Sequence, residues 1–315
     1  MGGRLLSLGA IAMDIVLSSN TLPYDDGFAF VSDEKMLPGG SASNVSVSAA
    51  HLGLRVFQTG KIGSDSIGEE FRRTLREDGV DDRYIVEKEN GTTLHTYILT
   101  APGGHHCIFA NLGDSVGTLR PDELPENLID SMDIFYTDMF SQEASLALAE
   151  EAVRQKKPVL YNMQCVPSFM ELCGTTRSSI GKMMSLCTVF VSNRDGFYEM
   201  TGEKDPQKAV RVMQETYHVR EGVICTAGTD GAIWYDGRKE YRAAAYQIEP
   251  VDTTGAGDCF LGGLLASYFD AGWDKEASLS FANASASVKC LKAGPRSKAA
   301  WKTITDFQAS HEQKF

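Results

Sequence analysis

The sequence predicts an α/β fold, a mostly parallel sheet covered by helices on both faces, with two exposed β segments besides. Three observations point there. From residue 43 onward, short apolar strand-like runs alternate with helix-period segments, the pattern of a parallel sheet with both faces buried. Stretches 18–38 and 93–111 are turn-rich and alternating, and neither fits a strand–helix–strand unit. Finally, a glycine-rich stretch at 252–263 follows a strand-like run, 241–251, and opens an apolar helix-period run, 259–269.

In chain order, 4–16 reads as one buried strand that brings Asp14 to its end, where open α/β sheets place ligands. A helix over 43–52 leads to a strand over 56–62. A helix over 66–77 stops at Gly79, a residue suited to a helix C-terminus, with Val80-Asp81 after it. Strands are predicted at 134–137, 159–162, 188–192, 222–226, 232–235 and 240–248. Helices are predicted at 143–155, 205–217, 258–269, 274–291 and 299–311. No internal repeat, low-complexity tract or linker divides the chain, so residues 1–315 read as one domain carrying the two β segments as insertions.

Composition narrows the function. A chain of 315 residues with 43% hydrophobic and 23% charged residues is that of a globular protein. A net charge of −12 argues against nucleic acid or an anionic membrane as a general partner. It leaves room for a nucleotide bound by a local cluster of backbone N–H groups. The start of the chain shows no charged-then-apolar leader, and no apolar run reaches ~18 residues. The seven cysteines lack metal-ligand spacing and several lie in apolar runs, which fits reduced thiols in a cytoplasmic protein. His95, His105 and His106 have no well-placed third ligand and read as structural.

The chemistry centres on Asp252-Thr253-Thr254-Gly255-Ala256-Gly257-Asp258. Gly255, Ala256 and Gly257 are small enough for a phosphate to reach the backbone. A helix starting there adds unpaired N–H donors and a positive dipole end. Asp258 falls in the first turn of that helix, so one group can take a proton while its neighbours hold developing negative charge. No Gly-x-x-x-x-Gly-Lys-Ser/Thr occurs, which excludes a P-loop, and no Gly-x-Gly-x-x-Gly stands at the first strand–helix turn.

This stretch resembles the C-terminal signature of the ribokinase family, the PfkB carbohydrate kinases. Pro38-Gly39-Gly40-Ser41-Ala42-Ser43-Asn44, Gly60-Lys61-Ile62-Gly63 and Asp65-x-x-Gly68 resemble the family's earlier motifs, in the right order and spacing. The likeness runs over roughly residues 4–297. It implies a ribokinase-like three-layer sandwich whose 18–38 and 93–111 segments build a β-sheet lid, often used to form a homodimer. It implies ATP and Mg²⁺, with Asp258 as general base and the backbone of Gly255, Ala256 and Gly257 as anion hole. By resemblance Asp14 binds sugar hydroxyls. Gly39 and Gly40 let a polyol approach, and Asn44 can both donate to and accept from vicinal hydroxyls. The nucleotide side takes Asn193, the 226–231 loop with Thr226, Gly228 and Gly231, and Asn283 near adenine. Asp252 and Thr254 match the place where relatives hold a monovalent cation such as K⁺.

Three positions depart from the family pattern. Gly196 stands where an acidic residue helps organise Mg²⁺ through water, with Asp195 and Glu199 as nearby substitutes. Ser41 stands where ribokinases carry lysine. Asn162-Met163-Gln164-Cys165-Val166-Pro167 lacks the arginine found in relatives that phosphorylate sugar acids. The expectation is an ATP-dependent kinase acting on a neutral sugar or polyol, with no nucleic-acid or membrane partner. The alternatives are a nucleoside kinase and a non-catalytic sugar-binding protein of the same fold.

Overall fold

The computed structural model describes residues 2–313. Its strands are β1 (Arg4–Leu8), β2 (Ala12–Ser19), β3 (Val31–Gly39), β4 (Arg55–Gly63), β5 (Asp81–Lys88), β6 (His95–Ala101), β7 (His105–Asn111), β8 (Ile134–Thr137), β9 (Val159–Met163), β10 (Val189–Asn193), β11 (Val223–Thr226), β12 (Ala232–Tyr235) and β13 (Glu240–Ala243). Nine of them form the main sheet in the order β13-β12-β11-β10-β9-β8-β1-β4-β5, and β3-β2-β6-β7 form a second sheet. Within the main sheet β12 alone runs against its neighbours.

The period of two explains the three layers. Along β1, β4, β8, β9 and β10 one set of side chains, Leu5, Val56, Ile134, Leu160 and Val189, enters one core. Their neighbours Leu6, Phe57, Phe135, Tyr161 and Phe190 enter the core on the opposite face. The first core is closed by helices α1 (Ser41–His51) and α2 (Ser66–Glu77), and by the C-terminal helices. Against the second pack α3 (Gln142–Arg154), α4 (Pro167–Leu172), α5 (Arg177–Leu186), α6 (Arg194–Thr201) and α7 (Pro206–Tyr217). The C-terminal helices are α8 (Ala256–Leu264), continued by a π-helical turn over Leu265–Asp270, then α9 (Lys275–Cys290) and α10 (Trp301–Ser310).

The first predicted strand is two. The chain leaves the main sheet after Leu8 and enters the second sheet at Ala12, so Asp14 lies in the lid sheet and not at a main-sheet strand end. The break is set by distant residues. The buried Asp138 carboxylate accepts from Ala10 N at 3.0 Å, and a Cβ on Gly40 would fall 2.4 Å from Ala10 O. The predicted 240–248 strand ends at Ala243, with an isolated bridge from Tyr246 to Gln313 beyond it. β5 and helices α4, α5 and α6 were not anticipated. The Asp65-x-x-Gly68 motif fastens the lid. Asp65 caps α2 through Gly68 N and accepts from Thr93 N and Oγ1, just before β6, at 2.8 and 2.6 Å.

Candidate active site

Four neighbouring parallel strands, β8 to β11, deliver polar residues to one edge of the sheet. Asp138 and Gln164 follow β8 and β9 directly, while Asn193 and Thr226 end β10 and β11. This is the carboxyl edge, beside the point between β8 and β1 where strand order reverses, and open α/β sheets bind ligands there.

Over that edge lies the 252–258 turn. Gly255 has φ of 77°, and a Cβ there would fall 2.0 Å from Pro295 O, so glycine is required on both counts. No side chain caps α8, whose first helical bond runs from Cys259 N to Gly255 O. The amides of Gly257 and Asp258 precede that bond, which gives the turn the polarity of an anion site. A Cβ on Gly257 would meet nothing within 4 Å. Gly257 instead borders two cavities. One, of about 330 Å³, is lined by apolar Ile248, Pro250, Phe260 and Ala286 and by Asn283. The other, of about 110 Å³, is lined by Asn162, Gln164, Asn193 and Asp258. Thr226 and Gly257 belong to both.

Asp258 is held from the other half of the chain. Ser41 Oγ donates to its Oδ1 at 2.6 Å and Asn44 Nδ2 to its Oδ2 at 2.8 Å. Burial pushes its pKa up to about 6, against the lowering effect of those two hydrogen bonds and of the Lys289 charge. Below it, Asp138 is fully buried and raised by burial to about 7. Asn162 Nδ2 reaches the hydroxyl of buried Tyr136 at 3.4 Å.

The remaining expected residues divide into groups. Asp14 Oδ1 accepts from Thr96 Oγ1 at 2.5 Å, and a Cβ on Gly39 would fall 2.7 Å from Asp14 Oδ2, so Asp14 and Gly39 touch. Asn44 has its amide NH₂ committed to Asp258, and its buried Oδ1 has no partner among the described residues. Gly228 and Gly231 border the larger cavity with φ of 61° and 85°. Asn283 also borders it, but its Nδ2 donates to Ala243 O and Ala244 O at 2.8 and 3.1 Å, which pins the wall behind the cavity. Asn193 caps α6 through Gly196 N. Gly196 is packed so closely that a Cβ would fall 2.2 Å from Ser192 Oγ. Glu199 is engaged by Ser168 and Arg177, and Asp195 is exposed. Lys61, with 9% of its side chain exposed, is held in a 2.5 Å ion pair with Glu123 and not at the 252–258 turn. Asp252 and Thr254 contact each other, Thr254 N donating to Asp252 Oδ1 at 2.9 Å, with Lys289 beneath.

Sequence reading passed over three of these contributors. In the sequence Ser41 stands out only as a departure from lysine. Asp138 follows a short strand, which is the same signal that drew attention to Asp14. Lys289 is a lone cation inside an otherwise uncharged run, 277–291.

A parallel sheet beneath a β lid, with this turn at its carboxyl edge, is the ribokinase fold. The Arabidopsis thaliana ribokinase complexed with ribose and ATP superposes with a TM-score of 0.83 at 18% identity, covering 98% of this chain and 99% of that one. A nucleoside kinase of Methanocaldococcus jannaschii gives 0.81 at 18% identity, covering 98% of this chain and 99% of that one. An Escherichia coli protein solved with ATP and Mg²⁺ gives 0.84 at 20% identity over 98% of this chain and 100% of the other. Residues 3–302 match the pfkB family carbohydrate kinase model, and the chain belongs to that family. Among relatives, an ATP-dependent ribose-1-phosphate kinase of Halopiger xanaduensis is 27% identical, over 93% of this chain and 94% of its own length. The Bacillus subtilis ribokinase is 26% identical, over 91% and 92%.

The two turn glycines should respond differently to substitution. Gly255→Ala meets both an unfavourable backbone conformation, worth about 1–2 kcal/mol, and the Pro295 carbonyl, and should lower the melting temperature by several degrees. Gly257→Val should melt close to wild type while blocking the cavities. Calorimetry with nucleotide titration checks both, and equal melting temperatures for Gly255→Ala and wild type would contradict the geometry.

Proposed function

We propose that this chain transfers the terminal phosphoryl group of ATP to a hydroxyl of a neutral sugar or related polyol, with Asp258 as general base. The observation that carries the reading is the setting of Asp258. Its carboxylate faces the smaller cavity from the first turn of an uncapped helix, gripped by Ser41 and Asn44. The larger, mostly apolar cavity suits a nucleobase and ribose, with the terminal phosphate lying toward Gly255–Gly257 where the cavities meet. An acceptor held between Asp14 and Asn44 would present its hydroxyl to Asp258. Asp258 takes the proton as the oxygen attacks phosphorus, and the Gly257 and Asp258 amides receive the charge displaced onto phosphate oxygens.

Mg²⁺ fits this site as a hydrated ion. The cavity offers the neutral side chains of Asn162, Gln164 and Asn193 beside Asp258, a donor set suited to a cation whose other ligands are water and phosphate. Bound there, Mg²⁺ would neutralise charge on the transferring phosphoryl group. Gly196 offers no carboxylate to this arrangement, so its support would come from those amides.

The acceptor reading follows from charge. Asp14 and Asp258 flank the 39–44 segment, Lys61 is consumed by Glu123, and Val166 stands where acid-phosphorylating relatives carry arginine. A carboxylated acceptor buried among these groups would lack a cation partner. The lid leaves Tyr24, Phe28, Phe30, Ile108 and Phe109 exposed on one small sheet and its loop. We infer that a second copy of the chain covers them. Sedimentation as a monomer at micromolar concentration would contradict that pairing.

Kinetics test the central assignment. Asp258→Asn keeps the shape and removes the base, so turnover should fall by about 10²–10⁴-fold with acceptor binding retained. The ionised carboxylate is the active form and its pKa is about 6, so kcat/KM should be flat above that pH and fall tenfold per pH unit below it. Near-wild-type turnover in the variant would refute the assignment. Across a matched panel, neutral sugars should outperform sugar acids in kcat/KM, and Asp14→Ala should raise the acceptor KM far more than the ATP KM. A sugar acid that exceeds every neutral sugar and nucleoside tested would overturn the acceptor reading.

A further inference from the structure

Lys289 lies near the end of α9 with 1% of its side chain exposed. Its Nζ donates to Asp252 O at 2.7 Å and stands 3.8 Å from Asp252 Oδ1. The same Asp252 carboxylate accepts from Thr254 N through Oδ1 and from Gly294 N through Oδ2, each at 2.9 Å. Val251 N and Asp252 N both donate to Cys290 O, and Gly255 is pressed against Pro295 O. The segment entering the 252–258 turn is thus stitched to the end of α9 and the loop after it, with an ammonium at the junction.

Asp252 and Thr254 are the residues that family resemblance pairs with a monovalent cation. The donor set here does not fit one. A buried ammonium brings three donors and a full positive charge, and it already occupies the Asp252 carbonyl. A second cation sharing that oxygen or the neighbouring Oδ1 would sit within a few ångströms of a like charge that cannot leave, because it is covalently part of the helix. The ammonium itself is buried while Asp252 keeps 29% of its side chain exposed, so solvent screens the two charges only in part.

We propose that the Lys289 ammonium is the built-in cation of this turn, standing in for a bound monovalent ion and holding residues 252–258 in phosphate-accepting shape without added K⁺. Lys289 is a positioning residue: it acts through Asp252 on the amides of Gly257 and Asp258 and touches no reacting atom. The inference rests on the kinase reading for its consequence, phosphate binding. Its ionic claim is separable from that reading.

The test compares potassium chloride with choline chloride at equal ionic strength. It measures melting temperature and the affinity for a fluorescent ADP analogue, for wild type and for Lys289→Ala. Wild type should show melting temperatures within one degree and affinities within about twofold in the two salts. Lys289→Ala should bind the analogue at least tenfold more weakly in choline, and K⁺ or NH₄⁺ should restore much of both melting temperature and affinity. A merely structural lysine would not be replaced by a free ion. A wild-type melting temperature that rises by several degrees in K⁺ overturns the inference whether or not nucleotide binds, and does so even if the variant fails to fold. So does a Lys289→Ala protein that binds the analogue within twofold of wild type in choline. A wild type that is indifferent to K⁺ but binds no nucleotide instead overturns the kinase reading, and with it the consequence assigned to Lys289.

Discussion

The grip of Ser41 and Asn44 on Asp258 is the interaction on which the site depends. It joins the first turn of α1 to the first turn of α8, across more than two hundred residues of sequence. Both helices begin at glycines with positive φ, Gly40 and Gly255, and each glycine is forced by a backbone carbonyl pressed against it, Ala10 O and Pro295 O. Two tight turns therefore face each other, and the carboxylate between them is bonded through both oxygens. Burial then raises its pKa to about 6, near the working range of a base at neutral pH.

Carboxylates bonded to backbone also organise the lid side of the candidate site. Asp138 accepts from the amides of Ala10 and Phe140 and fixes the point where the chain leaves the main sheet for the lid. Asp65 does the same for the returning strand through Thr93. The lid is thus anchored at both roots by carboxylates bonded to backbone, while Asp14 stands on β2 between them. Lid and sheet can share a ligand because the 39–44 segment touches Asp14 at one end and Asp258 at the other.

Much of this was legible in the sequence where local chemistry decides structure. Helix 66–77 was read with the bounds observed, since Asp65 caps it and Gly79 ends it with φ of 80°. Strands 134–137 and 232–235 were read as found. Reading failed where distant contacts decide. Residues 5–13 are apolar but for Ser7 and Gly9, so no periodicity marks the break that Asp138 and Gly40 impose. The run after Ala243 looks like a strand but its apolar residues line the larger cavity. β5 is a charged edge strand, and Asp81-Asp82-Arg83 conceals it. In the candidate site, the glycine turn that opens α8 and the place of Asp258 in its first turn were legible in the local sequence. The contacts of Ser41 and Lys289 were not, because each is made with a partner hundreds or tens of residues away.

The central claim is that the phosphate donor meets the acceptor at the turn between the two cavities. A crystal structure with a non-hydrolysable ATP analogue, Mg²⁺ and a neutral sugar tests it most directly. The terminal phosphate should lie within hydrogen-bond distance of the Gly257 and Asp258 amides, with the base in the apolar cavity and a sugar hydroxyl on Asp258. Phosphates bound elsewhere, with the 255–257 amides facing only water, would contradict the account.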